Sequence, residues 1–282
     1  MSRKVQTATA GLEHEKIGRL LLDYSLPAIV GMLVASLYNI VDRIFIGQGV
    51  GSMAISGLAL TLPLGTMVAA IGTLVGVGAS ARISIVLGMK DLKWARNILG
   101  NAFVLTFLLS ALLITGSMIF MDDILVAFGG SEQTVPYAKA YLNIVIPGSV
   151  LTNLSYSFSG IMRAAGYPRK SMYTILIGVG LNVILDPIFI FVFGMGVAGA
   201  AWATIISQAL SCAWVLLFLM GKKTQLRLRF KTMGLNKKIV SLCLSLGLSN
   251  FIMQASESII SVCFNSSLQN YGGDIAVGAM TI

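Results

Sequence analysis

Long apolar stretches, each broken by a short polar gap, run along the whole chain. An apolar helix needs about 20 residues to cross a hydrocarbon core ~30 Å thick. Seven stretches reach that length. The pattern predicts membrane-crossing helices over Leu20–Gly47, Ser52–Ser80, Asn97–Phe120, Val135–Ile161, Met172–Phe193, Gly196–Met220 and Ile239–Ser266, with an eighth starting near Ile275. The expected fold is an all-α polytopic membrane protein.

Composition agrees. Of 282 residues, 56% are hydrophobic and only 11% charged, against roughly 25% charged in a soluble domain. Mean hydropathy is +0.85. The net charge of +9 would suggest nucleic acid in a soluble protein, but here the basic residues mark topology. The N-terminal tail and the second, fourth and sixth gaps hold 18 of the 20 Lys and Arg residues, whereas the intervening gaps hold Asp122, Asp123, Glu132 and Asp274, with Lys139 close by. The positive-inside rule puts the N-terminus and the basic gaps in the cytoplasm. A multi-pass protein of a bacterial-type inner membrane is expected, in contact with the lipid bilayer, without a nucleic-acid partner and monomeric. No short apolar core with a small-residue cleavage site precedes the first run, so no cleaved signal is expected.

Some features carry little chemistry. Cys212, Cys243 and Cys263 lie in apolar stretches without metal-ligand spacing and read as free packing thiols. His14 sits among charged tail residues. Gly194-Met-Gly196-Val-Ala-Gly199 has the spacing of a nucleotide-binding loop but no βαβ context, so it reads as a close helix turn. Gly72 and Gly76 offer a smooth face for helix packing. No protease, hydrolase or P-loop motif is present, and the chain is not expected to be an enzyme or to need a cofactor.

Organisation follows from the gaps and from a faint repeat. Residues 1–19 read as a cytoplasmic tail, 20–221 as a first six-helix lobe, 222–238 as a basic linker and 239–282 as the start of a second lobe. The linker, with Leu226, Leu228 and Phe230 among its charges, fits either a segment lying on an anionic leaflet or a solvated connection. A shift of 222 residues lays Gly51-Ser-Met-Ala54-Ile over Gly273-Asp-Ile-Ala276-Val. An even number of spans separates the copies, so two parallel six-helix lobes are expected. A complete second half would bring the protein to roughly 440–450 residues and 12 helices.

Three acidic residues lie inside or at the end of apolar runs: Asp42, Asp186 and Glu257. A charge at the bilayer centre costs about 2.5–3.5 kcal/mol on insertion scales, and such residues normally face a bundle interior or a wet cavity. At 1.5 Å per residue, Asp186 lies ~24 Å from the basic edge of its helix and Asp42 ~34 Å along the first helix. Asn182 shares a face with Asp186 at i, i+4 spacing. Tyr141 enters about six residues from the opposite side, and Thr204 lies ~12 Å down from that side. Five polar groups on four helices thus fall in the outer half of the bilayer. Two carboxylates in a low-dielectric pocket cannot both stay ionised cheaply; one proton, or one Na⁺ held by oxygen ligands, relieves the repulsion. Each residue also has a plainer reading. Asp42 beside Arg43 fits an interfacial charge, Asp186 before Pro187 fits a helix break, and Asn182, Tyr141 and Thr204 fit interhelical hydrogen bonding.

Several stretches resemble the multidrug and toxic compound extrusion (MATE) family. They are Leu26-Pro-Ala-Ile through Val41-Asp42-Arg-Ile-Phe-Ile-Gly47, Met162-Arg-Ala-Ala-Gly166, Asn182-Val-Ile-Leu-Asp186-Pro187 and Gly194 to Thr204. The resemblance covers essentially the whole chain, with only the first of the family's two lobes complete. It implies antiport of Na⁺ or H⁺ against cationic, amphiphilic small molecules by alternating access between lobes. It also implies that Asp42, Asn182 and Asp186 are coupling-ion residues, with Tyr141 and Thr204 as hydrogen-bonding partners and Glu257 as an acidic seventh-helix site. Tyr38, Asn39, Asn153 and Tyr156 are candidate substrate-lining residues, the two tyrosines through cation–π contact. The alternatives are a lipid-linked precursor flippase, disfavoured by the acidic rather than basic membrane residues, and a non-transporting scaffold or degenerate fragment.

Overall fold

The computed structural model describes residues 17–221, 224–229 and 232–279; the side chains of Leu20 and Asn39 lie outside this set. The described residues form helices α1 Ile17–Gly49, α2 Ser52–Ala59, α3 Leu62–Gly88, α4 Leu92–Ile119, α5 Met121–Ala127, α6 Val135–Ala164, α7 Pro168–Pro187, α8 Gly196–Met220 and α9 Lys237–Ala279. α7 runs on into one π-helical turn, Ile188–Val192. By length and hydropathy, α1, α3, α4, α7 with its π turn, α8 and α9 suffice to cross a membrane. α6 has 30 residues, and much of its polarity (Ser149, Asn153, Ser157) is turned inward and buried.

The second apolar run differs from expectation. It is two helices, because Pro63 at the start of α3 has no N–H to give the Ala59 carbonyl, one turn back. The Asn265 side-chain amide on α9 fills that role, donating to Ala59 O at 3.2 Å. One residue earlier, the Leu58 carbonyl accepts from Thr61 Oγ1 (2.7 Å).

α9 lies along α3 for most of its length. Near the basic end, a side chain at Gly247 would strike the Leu74 carbonyl, and one at Gly78 the Cys243 carbonyl, so backbone meets backbone. Farther along, Gln254 Nε2 bonds Thr73 Oγ1 (2.5 Å) and Ser258 Oγ bonds Pro63 O (2.8 Å).

The repeat read from the sequence has a backbone counterpart. Gly51 (φ 109°, ψ 176°) and Gly273 (φ 67°, ψ −170°), 222 residues apart, both break the helix with a positive φ and an extended ψ. Only glycine takes up such a conformation readily. The segments that follow, α2 and the end of α9, pack together, and the equivalent positions Ser56 and Gly278 touch.

At the basic end, part of the linker packs into the helices. Leu226 and Leu228 are buried in the core with Ile98, Leu99, Phe158 and Leu219. Leu228 N donates to Leu219 O (3.0 Å), the Arg96 guanidinium bonds Gln225 O (3.2 and 3.1 Å), and Asn101 Oδ1 accepts from Asn236 N (2.6 Å). Lys222, Lys223, Phe230 and Lys231 lie outside the described residues. The three cysteines are free thiols; Cys212 and Cys243 pack inside, whereas Cys263 is exposed.

Candidate functional site

The site begins with a local defect in α7. Pro187 cannot donate to the carbonyl of Val183, so the chain widens into a π turn closed by Phe193 N to Ile188 O (3.0 Å). The turn presents Ile190 and Phe191 to the end of α1. Phe45 meets Phe191 edge to face at 6.2 Å, and Gly49 packs against Ile190 and Phe191 with no room for a side chain. This contact docks α1 on α7 one turn beyond Asp42 and one turn beyond Asp186.

The two carboxyls meet there, within reach of a shared hydrogen bond. Asp186 is 0% exposed and Asn182 3% exposed. A carboxylate only accepts, so the Asn182 amide turns its NH₂ to Asp186 Oδ2 (2.6 Å), and its oxygen accepts from Thr204 Oγ1 (3.3 Å) and Thr204 N (3.1 Å). The phenols of Tyr38 and Tyr141 lie near the Thr204 hydroxyl and beside the carboxylates. Arg43 adds a nearby positive charge.

Four helices thus bring together Asp42, Tyr141, Asn182, Asp186 and Thr204, the five groups placed in the outer half of the bilayer from the sequence. Tyr38 joins them more intimately than a cation–π neighbour would. The signal was its i, i+4 spacing from Asp42, which puts both on one face of α1. The other candidates lie elsewhere. Asn153 is fully buried and donates to Ser110 Oγ (2.9 Å) between α4 and α6. Tyr156 is 51% exposed. Glu257 is exposed on α9, because the neighbouring Ser258 is the residue turned onto α3. The side chain of Asn39 lies outside the described residues.

The donor set consists entirely of oxygens and one amide nitrogen. Asp42 Oδ1 and Asp186 Oδ1 are buried without a hydrogen-bond donor from the protein. Two adjoining carboxylates with unsatisfied oxygens suit one proton or one hard cation held by oxygen ligands. Among the described residues no group of three or more His, Cys, Asp or Glu gathers as a transition-metal site would require.

Comparison with known proteins gives this arrangement its family. The MatE family model matches residues 27–188, more than half of the chain. The chain belongs to the MatE family. Among its relatives, Multidrug export protein MepA of Staphylococcus aureus (strain NCTC 8325 / PS 47) is 30% identical over 260 residues, covering 92% of this chain and 58% of MepA. One solved structure is titled as the inward-facing conformation of a multidrug resistance MATE family transporter of the MOP superfamily. It superposes with a TM-score of 0.83 at 27% identity, over 87% of this chain and 56% of that one. The structure titled as the outward-facing conformation gives 0.84 at 27% identity, over 98% and 60%. The chain therefore spans little more than half the length of these relatives. The family resemblance and the all-α fold read from the sequence are both borne out, and the expectation of 12 helices is consistent with the lengths of the relatives.

Proposed function

We propose that this chain supplies the ion-coupling lobe of a secondary active antiporter. It exports cationic amphiphilic compounds in exchange for Na⁺ or H⁺ through alternating access between two lobes. One observation carries the reading: Asp42 and Asp186, from two different helices, meet in a buried pocket with an orphaned oxygen on each. A scaffold has no use for such a pair, and a carrier of anionic headgroups would want the opposite charge. MepA, a multidrug export protein, supports the substrate class. The basic end faces the cytoplasm in this scheme, which puts the N-terminus there too.

The cycle follows from electrostatics. With neither proton nor Na⁺ bound, the carboxylate pair holds excess negative charge and attracts an organic cation, and Tyr38 offers a ring face to it. A proton or Na⁺ arriving at Asp42 and Asp186 neutralises that charge and weakens the hold on the cargo. Asn182, Thr204 and Tyr141 fix the positions of the two carboxyls and complete an oxygen-rich shell. Glu257, exposed on α9, belongs to the part of the pathway formed with the second lobe.

The test is ion-driven efflux of a fluorescent cationic drug from proteoliposomes carrying Asp42→Asn or Asp186→Asn. Loss of efflux with an unchanged elution profile supports the reading; full efflux from both variants would refute it.

A further inference from the structure

The acidic end carries a polar cluster that ion coupling does not explain. Asp274 opens the helical segment beyond the break at Gly273. Its carbonyl accepts from Ser56 Oγ (2.7 Å), and its Oδ2 accepts from Ser131 Oγ (3.0 Å). Ser131 lies in the turn between α5 and α6. Its hydroxyl oxygen accepts from the backbone N–H groups of Gln133 and Thr134, at 3.2 Å each. Thr134 Oγ1 sits 3.0 Å away and itself accepts from Ser131 N. Held in this way, the Ser131 hydroxyl points its proton at Asp274. The other carboxylate oxygen, Oδ1, is buried with no donor.

This cluster sits where the two repeats touch. Ser56 and Gly278 occupy equivalent positions, and contact between equivalent positions marks the two-fold axis that relates two copies. Two lobes that open toward the acidic end have to part along this line. A carboxylate with one bonded and one stranded oxygen is a weak closure. It holds through a single side-chain hydrogen bond, and parting rehydrates both oxygens.

We propose that Ser131 and Asp274 form the latch that closes the acidic end of the transport pathway, with the Ser56 bond to the Asp274 carbonyl crossing the same line beside it. These are positioning residues, remote from the ion-coupling cluster in role. The inference rests on the alternating-access reading above.

The experiment measures the gap directly. Spin labels at the exposed positions 132 and 271, in a Cys263→Ser background that leaves only buried native thiols, report short and long distances in proteoliposomes. Asp274→Ala should raise the long-to-short ratio about tenfold, the factor expected for one lost hydrogen bond to a charged group. Ser131→Ala should do the same, and the double variant no more than either alone. Asp274→Asn keeps an oxygen that accepts the Ser131 proton, so it should stay within about threefold of the parent. A ratio for Asp274→Ala within twofold of the parent would overturn the latch, as would single effects that multiply in the double variant. If Asp274→Ala does not insert, Ser131→Ala decides by the same criterion. Drug efflux from the same vesicles separates the two ideas: full efflux from both Asp42→Asn and Asp186→Asn removes the antiporter reading, whereas the latch stands or falls on the distances.

Discussion

Replacing Asp186 with asparagine isolates charge from shape. The amide has nearly the volume of the carboxyl, and its oxygen can keep the bond that Asn182 donates at 2.6 Å. The position is 0% exposed, so no solvent contact changes. What disappears is one of two anionic ligands to a bound cation. An interaction with a charged group contributes about 1.5–3 kcal/mol, so cation affinity should fall by about 10- to 150-fold. The ion-free protein responds in the opposite sense. Two unit charges about 4 Å apart repel by ~4 kcal/mol at an effective dielectric constant of 20, and the variant loses that repulsion. Thermal unfolding in detergent across a Na⁺ series and a pH series reads both effects. The parent should gain stability as Na⁺ or H⁺ is added, because either ligand binds the folded pair. The variant should start from a higher Tm and gain little. Asp42→Asn should behave alike, and the double variant should transport no worse than either single one, since the two residues act as a unit. A variant that keeps both the full ion-dependent Tm shift and wild-type efflux would refute the argument.

Three further outcomes are expected. Asn265→Leu strands the Ala59 carbonyl and should lower stability by about 1–3 kcal/mol; adding Pro63→Ala restores a backbone donor, so the double variant should melt above Asn265→Leu alone. Gly247→Leu drives a side chain into the Leu74 carbonyl and should cost at least the ~1–3 kcal/mol typical of overpacking, seen as a lower Tm. Tyr141→Phe removes one phenol from Thr204 and should weaken ion binding by up to about tenfold, read by titration, with drug affinity in the absence of coupling ion unchanged.

Much of the site was legible because membrane helices convert sequence spacing into depth and face. Asn182 and Asp186 could be placed on one side of one helix from their spacing, and both carboxylates in the outer half of the bilayer. Rotation about the helix axis is not encoded in depth. Glu257 lies deep in its apolar run, yet its neighbour Ser258 is the residue that faces α3. The division of the second run at Leu60–Thr61 has a local cause in Pro63, but the partner that makes it tolerable, Asn265, lies 206 residues away and could not be read from the run itself. The linker misled for a related reason. The alternation of Leu226 and Leu228 with arginines suits a surface segment, but a pocket formed by α4 and α8 takes up both leucines. The repeat at Gly51 and Gly273 was faint in residue identity yet plain in backbone shape, since an unusual φ persists where side chains have diverged.

The Asn265–Ala59 bond bears on how the protein is made. Translation proceeds at about 5–20 residues per second, so the amide follows its carbonyl into the membrane after about 10–40 s. During that interval a bare acceptor sits near the top of the second span, in surroundings where an unmet peptide group is costly. The insertion machinery has to shelter it, or water has to. Six spans therefore do not make a finished unit. Assembly of the first half waits on the seventh, and a ribosome that stalls before position 265 leaves behind a bundle with a hole in its hydrogen bonding.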